Sequence, residues 1–436
     1  MPKIGEVQRG GRESLEVPGL PWLQEALRGG LVRGGIYLIA GEPGIGKTTL
    51  AVQILVDLAK RGVPVVYLTN EQSLADIAGV VDRIAKPLLP QEMLQVKENL
   101  LCDDAVAEIK DLPDFLARRV LSEGQEYHGV RVLVYDSVQG RGLAATATQQ
   151  YKSLYKFNDL AKNSGLCTLL IGHITKRGQV AGPKDLEHNI DAMIYLRRAF
   201  RLRPLFVPKN RYGPAVFDPL VLTMDDDGRL SKAPHTTAQS STVFGWSGVG
   251  ENLTEAQAQV SLPRYGSNPE LNAPNLPRAR VKQLMNTISQ LKEVDVTNLS
   301  YTINCLLPRR ERYAEELDLP LAIALLSSYL QQPVPPNSLF SGELDLTSRI
   351  RRPDSNYLAE LAQVLVRVQQ GVIRRVYLST EAEAEMRQHL AEQENAARSE
   401  GLPVSADRTE VIGVRDLAGL LGLLWPDLGV ADRAGP

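Results

Sequence analysis

Short apolar runs, separated by longer stretches of helical periodicity, mark the first half of the chain. The runs that are almost continuously apolar stand at residues 35–40, 63–68, 130–135, 166–172, 192–196 and 204–208. Strands without polar alternation are typical of parallel sheets that are buried on both faces. The pattern therefore predicts an α/β fold whose mainly parallel sheet is covered by helices.

The pattern changes after Leu230. Residues 231–275 are rich in Ser, Thr, Pro, Asn and Gly, which predicts a linker with loops around one weak strand at 256–262. Beyond this stretch, helices alternating with strands are predicted at 278–291, 298–306, 317–329 and 374–378. The second half is therefore expected to form a smaller α+β domain.

Length and composition agree with this division. A chain of 436 residues, 43% hydrophobic and 23% charged, is expected to form about two soluble globular domains. The predicted lead-in, first domain, linker with the start of the second domain, and second domain occupy 1–18, 19–232, 233–275 and 276–436.

The most informative stretch lies between the first apolar run and a helical run. Residues 41–49 read GEPGIGKTT and match the phosphate-binding pattern G-x-x-x-x-G-K-[ST] in full. Its glycines let backbone N–H groups turn around a phosphate, and the following helix adds its dipole. Lys47 is predicted to reach the β- and γ-phosphates of ATP, and Thr48 to hold Mg²⁺. The predicted nucleotide-binding residues are Gly41, Glu42, Pro43, Gly44, Ile45, Gly46, Lys47, Thr48 and Thr49.

Two carboxylates follow buried runs and belong with this loop. Asp136 comes directly after 130–135, where it is positioned to order Mg²⁺ opposite Thr48, although an aspartate there is also a common cap or loop residue. Glu71 follows 63–68 and is the candidate general base for the attacking water. Its alternative is a carboxylate at the N-terminus of the next helix. His173 directly follows the fourth run and is either a phosphate sensor or a structural histidine.

Other function classes are disfavoured. No run of about 18 apolar residues is present, and the first residues lack the apolar centre of a signal peptide, so a cytoplasmic protein without membrane contact is expected. Cys102, Cys167 and Cys305 lie far apart, which argues against a disulfide framework and against a zinc site.

A local excess of basic residues follows the fourth run, although the whole chain carries a net charge of −2. Between Lys176 and Arg211 there are nine Lys or Arg against three acids. Such a stretch suits a phosphate backbone, with a solvated basic face as the alternative. Lys176, Arg177 and Lys184, in the loop after this run, are the predicted DNA contacts.

These motifs together resemble the RadA/Sms DNA-repair ATPase family. The resemblance is carried by GEPGIGKTT, YLTNEQ, LVYDSVQ, GHITKRGQVAGPKDLEHNID and, above all, KNRYG at 209–213, which is close to that family's KNRFG signature. It extends from about Pro18 to the C-terminus. It implies a RecA-like P-loop ATPase core that forms a hexameric ring, moves on single-stranded or branched DNA and promotes branch migration, with a recombinase as a further partner.

The resemblance also implies roles for single residues. Lys47 and Thr48 correspond to the residues that hold nucleotide and Mg²⁺, Asp136 to the Walker B aspartate and Glu71 to the catalytic glutamate. Lys209 and Arg211 are expected to reach the nucleotide of a neighbouring subunit. Because they stand two residues apart, they share one strand face if the segment is extended.

Two departures from the family are expected to matter. The family usually begins with a four-cysteine zinc finger, whereas this sequence has no cysteine before Cys102. Its second half resembles the Lon-protease-like domain of the family, but Glu316 stands near the serine position of Lon and Tyr357 near the lysine position. Neither can act as Lon's nucleophile or base, so a scaffold domain is predicted.

Two functions from different classes stay open. The first is an ATP-hydrolysing motor stimulated by single-stranded DNA and active in recombinational repair. The second is a RecA-like regulatory ring whose nucleotide state controls protein partners without DNA. The basic stretch favours the first function, and an ATP-dependent protease is disfavoured by Glu316 and Tyr357.

Overall fold

The computed structural model describes residues 13–138, 147–173, 189–199, 202–233, 240–291, 294–296, 298–307, 313–369, 371–404 and 409–426. The chain divides into two compact units. The first comprises Met1–Thr236 with Arg264–Gly266, and the second Thr237–Pro263 with Ser267–Pro436. None of the described helices combines the length and the apolar character needed to cross a membrane.

The first unit is built on a nine-stranded sheet, beside a small pair formed by β1 (Ser14–Leu15) and β2 (Leu31–Val32). Its strands are β3 (Ile36–Gly41), β4 (Val65–Thr69), β5 (Leu100–Asp103), β6 (Val132–Asp136), β7 (Cys167–His173), β8 (Ala192–Leu196), β9 (Leu202–Asn210), β10 (Val216–Met224) and β11 (Leu230–Lys232). The order across the sheet is β11-β10-β9-β8-β3-β7-β6-β4-β5. Strands β8 to β5 in this order are parallel, and β9, β10 and β11 continue antiparallel.

Helices cover both faces of this sheet. They are α1 (Pro21–Ala26), α2 (Lys47–Ala59), α3 (Leu74–Ala85), α4 (Pro90–Asn99), α5 (Leu112–Phe115), which continues as a π-helical turn, and α6 (Ala147–Ser164). Alternate residues of β3 belong to different cores. Tyr37 and Ile39 pack in the core that contains α2, whereas Ile36 and Leu38 pack in the core that contains α6. The predicted α/β sheet buried on both faces is thus confirmed.

The second unit has a mixed seven-stranded sheet in the order β14-β15-β13-β12-β16-β17-β18. Its strands are β12 (Ser240–Gly245), β13 (Thr254–Ser261), β14 (Leu271–Asn272), β15 (Ser300–Leu306), β16 (Ser338–Phe340), β17 (Arg375–Ser379) and β18 (Glu410–Val414). Its helices are α7 (Arg278–Ile288), α8 (Asp318–Leu330), α9 (Ser355–Gln363), α10 (Glu383–Ser399) and α11 (Leu417–Leu424). The helices and strands predicted at 278–291, 298–306, 317–329 and 374–378 are present, shifted by no more than a few residues.

The stretch predicted as a linker contains two central strands. Strand β12 was not predicted, and β13 was predicted only weakly. Six residue pairs join β12 to β13, and seven join β13 to β15. The buried positions of β13 alternate, but they include the small residues Ala256 and Ala258, so the hydrophobic signal is weak although the backbone ladder is complete.

A buried polar cluster joins α7, α8 and the turn after β16. Asp318 is 1% exposed and accepts hydrogen bonds from Arg280 Nε at 3.0 Å and from the Leu344 N–H at 3.0 Å. Arg280 Nη2 and the Tyr313 hydroxyl also donate to it, and Arg280 bonds Glu343 at 3.1 Å. The hydrogen bonds to Asp318 are the main cause that raises the pKa of Arg280 above its ordinary value. One carboxylate therefore links several parts of the second unit.

We expect Asp318→Ala to lower the free energy of unfolding of the second unit by about 3 to 5 kcal/mol, because it leaves Arg280 largely buried without its main partner. Urea denaturation followed by tryptophan fluorescence measures this, since Trp246 and Trp425 lie in this unit. Glu410→Ala is the control, because its ion pair with Arg375 is exposed and should contribute less than about 1 kcal/mol. Equal losses in the two variants would contradict the role of the cluster.

Candidate nucleotide-binding site

The predicted phosphate-binding loop joins β3 to α2. Gly44 and Gly46 have φ angles of 69° and 108°, in the left-handed region that glycine adopts without strain. Gly46 is the N-cap of α2, so the loop lies at the positive end of a helix of 13 residues. An anion at this position would meet backbone N–H groups and the helix dipole together.

Lys47, the first residue of α2, is 5% exposed. Its ammonium donates to the carbonyls of Gly41 at 3.1 Å and Glu42 at 2.9 Å, and to His173 Nδ1 at 3.1 Å. Burial lowers the pKa of Lys47, and the nearby charge of Asp136 opposes this shift. These three acceptors are uncharged, which suits a buried cation whose counter-charge is a phosphate ligand.

Asp136 ends β6 and contacts the same helix. Its Oδ2 accepts hydrogen bonds from Thr48 Oγ1 at 2.9 Å and from the Tyr67 hydroxyl at 2.5 Å. Asp136 is 2% exposed, and burial raises its pKa although both hydroxyls work in the opposite direction. The predicted pairing of Thr48 with Asp136 is present, and their oxygens are the ligand type that Mg²⁺ prefers.

The described residues contain no group of three or more His, Cys, Asp or Glu side chains arranged to hold a metal. A Mg²⁺ ion in a nucleotide site does not need such a group. It usually keeps several waters and binds through one or two protein oxygens and the phosphates of the substrate. Thr48 and Asp136 fit that donor set.

Glu71 lies in the turn after β4, beside the loop. It accepts a hydrogen bond from Ser137 Oγ, and His173 Nε2 faces its carboxylate at 3.4 Å. Because the Lys47 ammonium can only donate, His173 Nδ1 accepts and the imidazole proton lies on Nε2, toward Glu71. Glu71 does not cap the next helix, since Ser73 and Asp76 form the capping box of α3.

Sequence reasoning missed three supports of this site. Tyr67 anchors Asp136, and Asn70 donates to the Tyr135 hydroxyl at 2.8 Å and accepts from the Ser137 N–H at 2.7 Å. Arg198 donates to the Gly44 carbonyl at 3.0 Å. Arg198 follows β8, whose Leu196 pairs with Gly41 at the end of β3. A basic residue just after a strand that is the parallel neighbour of β3 was therefore the signal that could have identified it.

The predicted pair Lys209 and Arg211 lies at the end of the sheet where the parallel strands begin, away from the phosphate-binding loop. Lys209 is opposite Met193 near the start of β8, and Arg211 Nη1 bonds Asp191 Oδ1 at 3.0 Å. The Ile36 N–H, at the start of β3, donates to Asp191 Oδ2. The loop follows the far end of β3, about 16 Å away at the usual rise of a strand. The structure thus separates this pair from the loop of its own subunit.

The predicted DNA contacts Lys176, Arg177 and Lys184 lie outside the described residues. Their segment, 174–188, begins directly after His173, which contacts both Lys47 and Glu71.

In the second unit, the two positions compared with Lon differ in environment. Tyr357 is buried, and its hydroxyl lies 2.8 Å from Ser341 Oγ and donates to the Trp246 carbonyl at 3.0 Å. Burial raises the pKa of Tyr357 and that of the half-buried Glu316. A buried phenol that keeps its proton is a poor general base.

Comparison with known proteins gives concordant results. A family model described as "ATPase: KaiC" matches residues 17–228. DNA repair protein RadA of Pseudomonas aeruginosa is 30% identical over 350 residues, covering 76% of this chain and 72% of that protein. DNA repair protein RadA of Haemophilus influenzae is 30% identical with the same coverage, and that of Escherichia coli is 29% identical over 76% of this chain and 71% of its own length.

This chain belongs to the RadA family. The resemblance seen in the sequence is thereby confirmed, and with it the RecA-like fold of the first unit. The matched range contains the loop, Glu71, Asp136 and the KNRYG segment of this RadA-family chain, so the P-loop ATPase domain coincides with the site.

We expect Tyr67→Phe to move the acid limb of the ATPase pH profile to higher pH by about one unit. The variant removes a hydrogen bond that stabilises the Asp136 carboxylate, and a bond to a charged group contributes about 1.5 to 3 kcal/mol. The pKa of Asp136, already raised by burial, therefore rises further, and activity is lost sooner on acidification.

Tyr37→Phe is the matched control for this experiment. Its hydroxyl is also buried in the sheet, but it accepts the Val32 N–H at 2.8 Å and does not bond Asp136. An acid limb that stays in place in Tyr67→Phe would show that Asp136 does not set it.

Proposed function

We propose that this RadA-family protein is an ATP-dependent DNA-repair motor. It hydrolyses ATP with Mg²⁺, is stimulated by single-stranded DNA, and acts as a hexameric ring in branch migration during recombinational repair. The observation that carries the proposal is the meeting of Lys47, Thr48, Asp136 and Glu71 at one phosphate-binding loop in a chain of this family. The RadA relatives are named as DNA repair proteins, which supports the biological role.

In this proposal each residue has a distinct task. Lys47 neutralises phosphate charge, and Thr48 and Asp136 hold Mg²⁺, which when bound neutralises charge on the β- and γ-phosphate oxygens. Glu71 accepts the proton of the attacking water. Ser137 and His173 hold its carboxylate in place, because one donates to it and the other faces it at 3.4 Å.

Lys209 and Arg211 act on the nucleotide of the neighbouring subunit. Their position supports this, because they lie at the opposite end of the parallel strands from the loop of their own subunit and are too far from it to contact it. Cations supplied in trans stabilise the charge that develops on a transferred phosphoryl group. A head-to-tail contact of this kind closes into a ring when the rotation between subunits permits, and we propose a hexamer.

DNA is proposed to bind along 174–188 through Lys176, Arg177 and Lys184. The placement is supported by continuity, because this segment begins directly after His173, which touches both Lys47 and the proposed base. The second candidate is the regulatory ring that works without DNA. The match to a family model described as "ATPase: KaiC" supports it as an alternative.

Separate substitutions of Lys47 and Glu71 should distinguish nucleotide binding from ATP hydrolysis. We expect Lys47→Ala to abolish nucleotide binding or turnover. We expect Glu71→Gln to keep binding and to lose hydrolysis by about 10² to 10⁴-fold, because a general base acts only on the attacking water. Equilibrium binding of a fluorescent ATP analogue and phosphate release measure the two effects.

Lys97→Ala and Glu98→Gln on α4 are matched controls. Both side chains are exposed and repeat the same chemical changes away from the loop. Near wild-type hydrolysis by Glu71→Gln would assign the base to another residue.

The DNA role is tested by phosphate release with and without single-stranded DNA. We expect stimulation, and an affinity that falls with salt by about 0.7 logarithmic units per phosphate contact for each tenfold rise in salt. Arg177→Ala with Lys184→Ala should weaken DNA binding and lower this slope, whereas Lys97→Ala with Arg118→Ala, two exposed cations elsewhere, should not. No binding and no stimulation would favour the regulatory ring.

A further inference from the structure

Arg211 is paired with a carboxylate that is itself almost completely buried. Asp191 is 3% exposed, and its Oδ1 accepts hydrogen bonds from Arg211 Nη1 at 3.0 Å and from Lys162 Nζ at 3.1 Å. Its Oδ2 accepts the Ile36 N–H at 3.1 Å. Two cations thus share one oxygen, while the other oxygen is fixed to the first residue of β3.

The charge of Asp191 is well supported by its surroundings. Burial alone would raise its pKa, but the hydrogen bonds from the Ile36 N–H and from Lys162 outweigh burial and hold the pKa below its ordinary value. The carboxylate is therefore ionised at neutral pH and rigidly placed. Such a group orients a guanidinium more firmly than an exposed partner would.

The two cations differ from the carboxylate in exposure. The side chains of Arg211 and Lys162 are 50% and 40% exposed. A cavity of about 320 Å³ lies beside them, lined by Arg33, Lys162, Asp191 and Arg211 among others. The cations can therefore reach a phosphate group at this edge, whereas the carboxylate stays inside.

We propose that Asp191 is the positioning residue of Arg211 and that Lys162 is the cation that keeps Asp191 paired when Arg211 turns to a neighbour's γ-phosphate. Without Lys162, release of Arg211 would leave a buried carboxylate without a cation, which is strongly unfavourable. This inference rests on the proposed action of Arg211 in trans.

The first test is steady-state ATPase activity of the full chain. We expect Arg211→Ala to lower kcat by about 10³-fold or more. Asp191→Asn should lower kcat by up to about 10²-fold through misplacement of Arg211, with KM for ATP and ring assembly unchanged. Adding Asp191→Asn to Arg211→Ala should have no further effect, because a positioning residue acts only through its partner.

Lys162 provides an independent variant, since its exposed side chain can be changed without loss of folding. Lys162→Ala should lower kcat, and Lys162→Arg should restore it. If kcat is unchanged in Lys162→Ala, the proposal that Lys162 keeps Asp191 paired when Arg211 turns away is overturned, whether or not Asp191→Asn folds.

Mixed rings distinguish positioning from a structural fault. In rings of Asp191→Asn and Lys47→Ala subunits, some interfaces pair an intact loop with an intact Arg211, so activity per intact loop should rise above that of Asp191→Asn alone. A fault confined to the Asp191→Asn subunit would show no rise, and that result overturns the proposal.

Asp57→Asn is the matched control. Asp57 is 4% exposed and also pairs with two cations, Lys60 and Arg61, but it lies on α2. It should lose stability and keep kcat. If Asp191→Asn and Asp57→Asn have equal kcat and Arg211→Ala is inactive, the positioning role of Asp191 is overturned, but the action of Arg211 in trans is not. If Arg211→Ala is active, the action in trans is overturned.

Discussion

The register of β3 between two parallel neighbours is the constraint on which the first unit depends. Strand β3 pairs with β7 on one side and with β8 on the other, residue for residue. At its carboxyl end this register brings the loop beside His173 and Arg198. At its start, the same register brings Ile36 to Asp191, and through Asp191 to Lys162 and Arg211. One strand therefore positions the residue groups at both of its ends.

Prediction from sequence was most successful where the chemistry is local. The loop is a contiguous motif, so Lys47 and Thr48 could be assigned directly. Asp136 and Glu71 could be placed because the carboxyl ends of parallel strands meet at one edge of a sheet. The structure brings these residues together, although their individual roles stay proposals.

What could not be predicted depends on contacts between distant segments. Tyr67 reads as a strand residue, and nothing in its own neighbourhood shows that its hydroxyl meets Asp136. Asp191 counted only as one acid within a basic stretch, yet it is the partner of Arg211. Strand β12 was missed because its Ser- and Thr-rich sequence resembles a linker, and only its pairing with β13 identifies it. Lys176, Arg177 and Lys184 stay predictions.

The contact between Lys47 and His173 has a thermodynamic consequence. His173 is the last residue of β7, and the chain passes from it directly into 174–188. Two ligands whose binding both depends on the state of such a residue are coupled, and the coupling free energy is the same in both directions. If nucleotide binding changes the hydrogen bond between Lys47 and His173, it also changes the affinity for any ligand of 174–188 that depends on His173. Binding of that ligand then changes the affinity for the nucleotide by the same factor. A coupling of about 1.4 kcal/mol makes that factor ten.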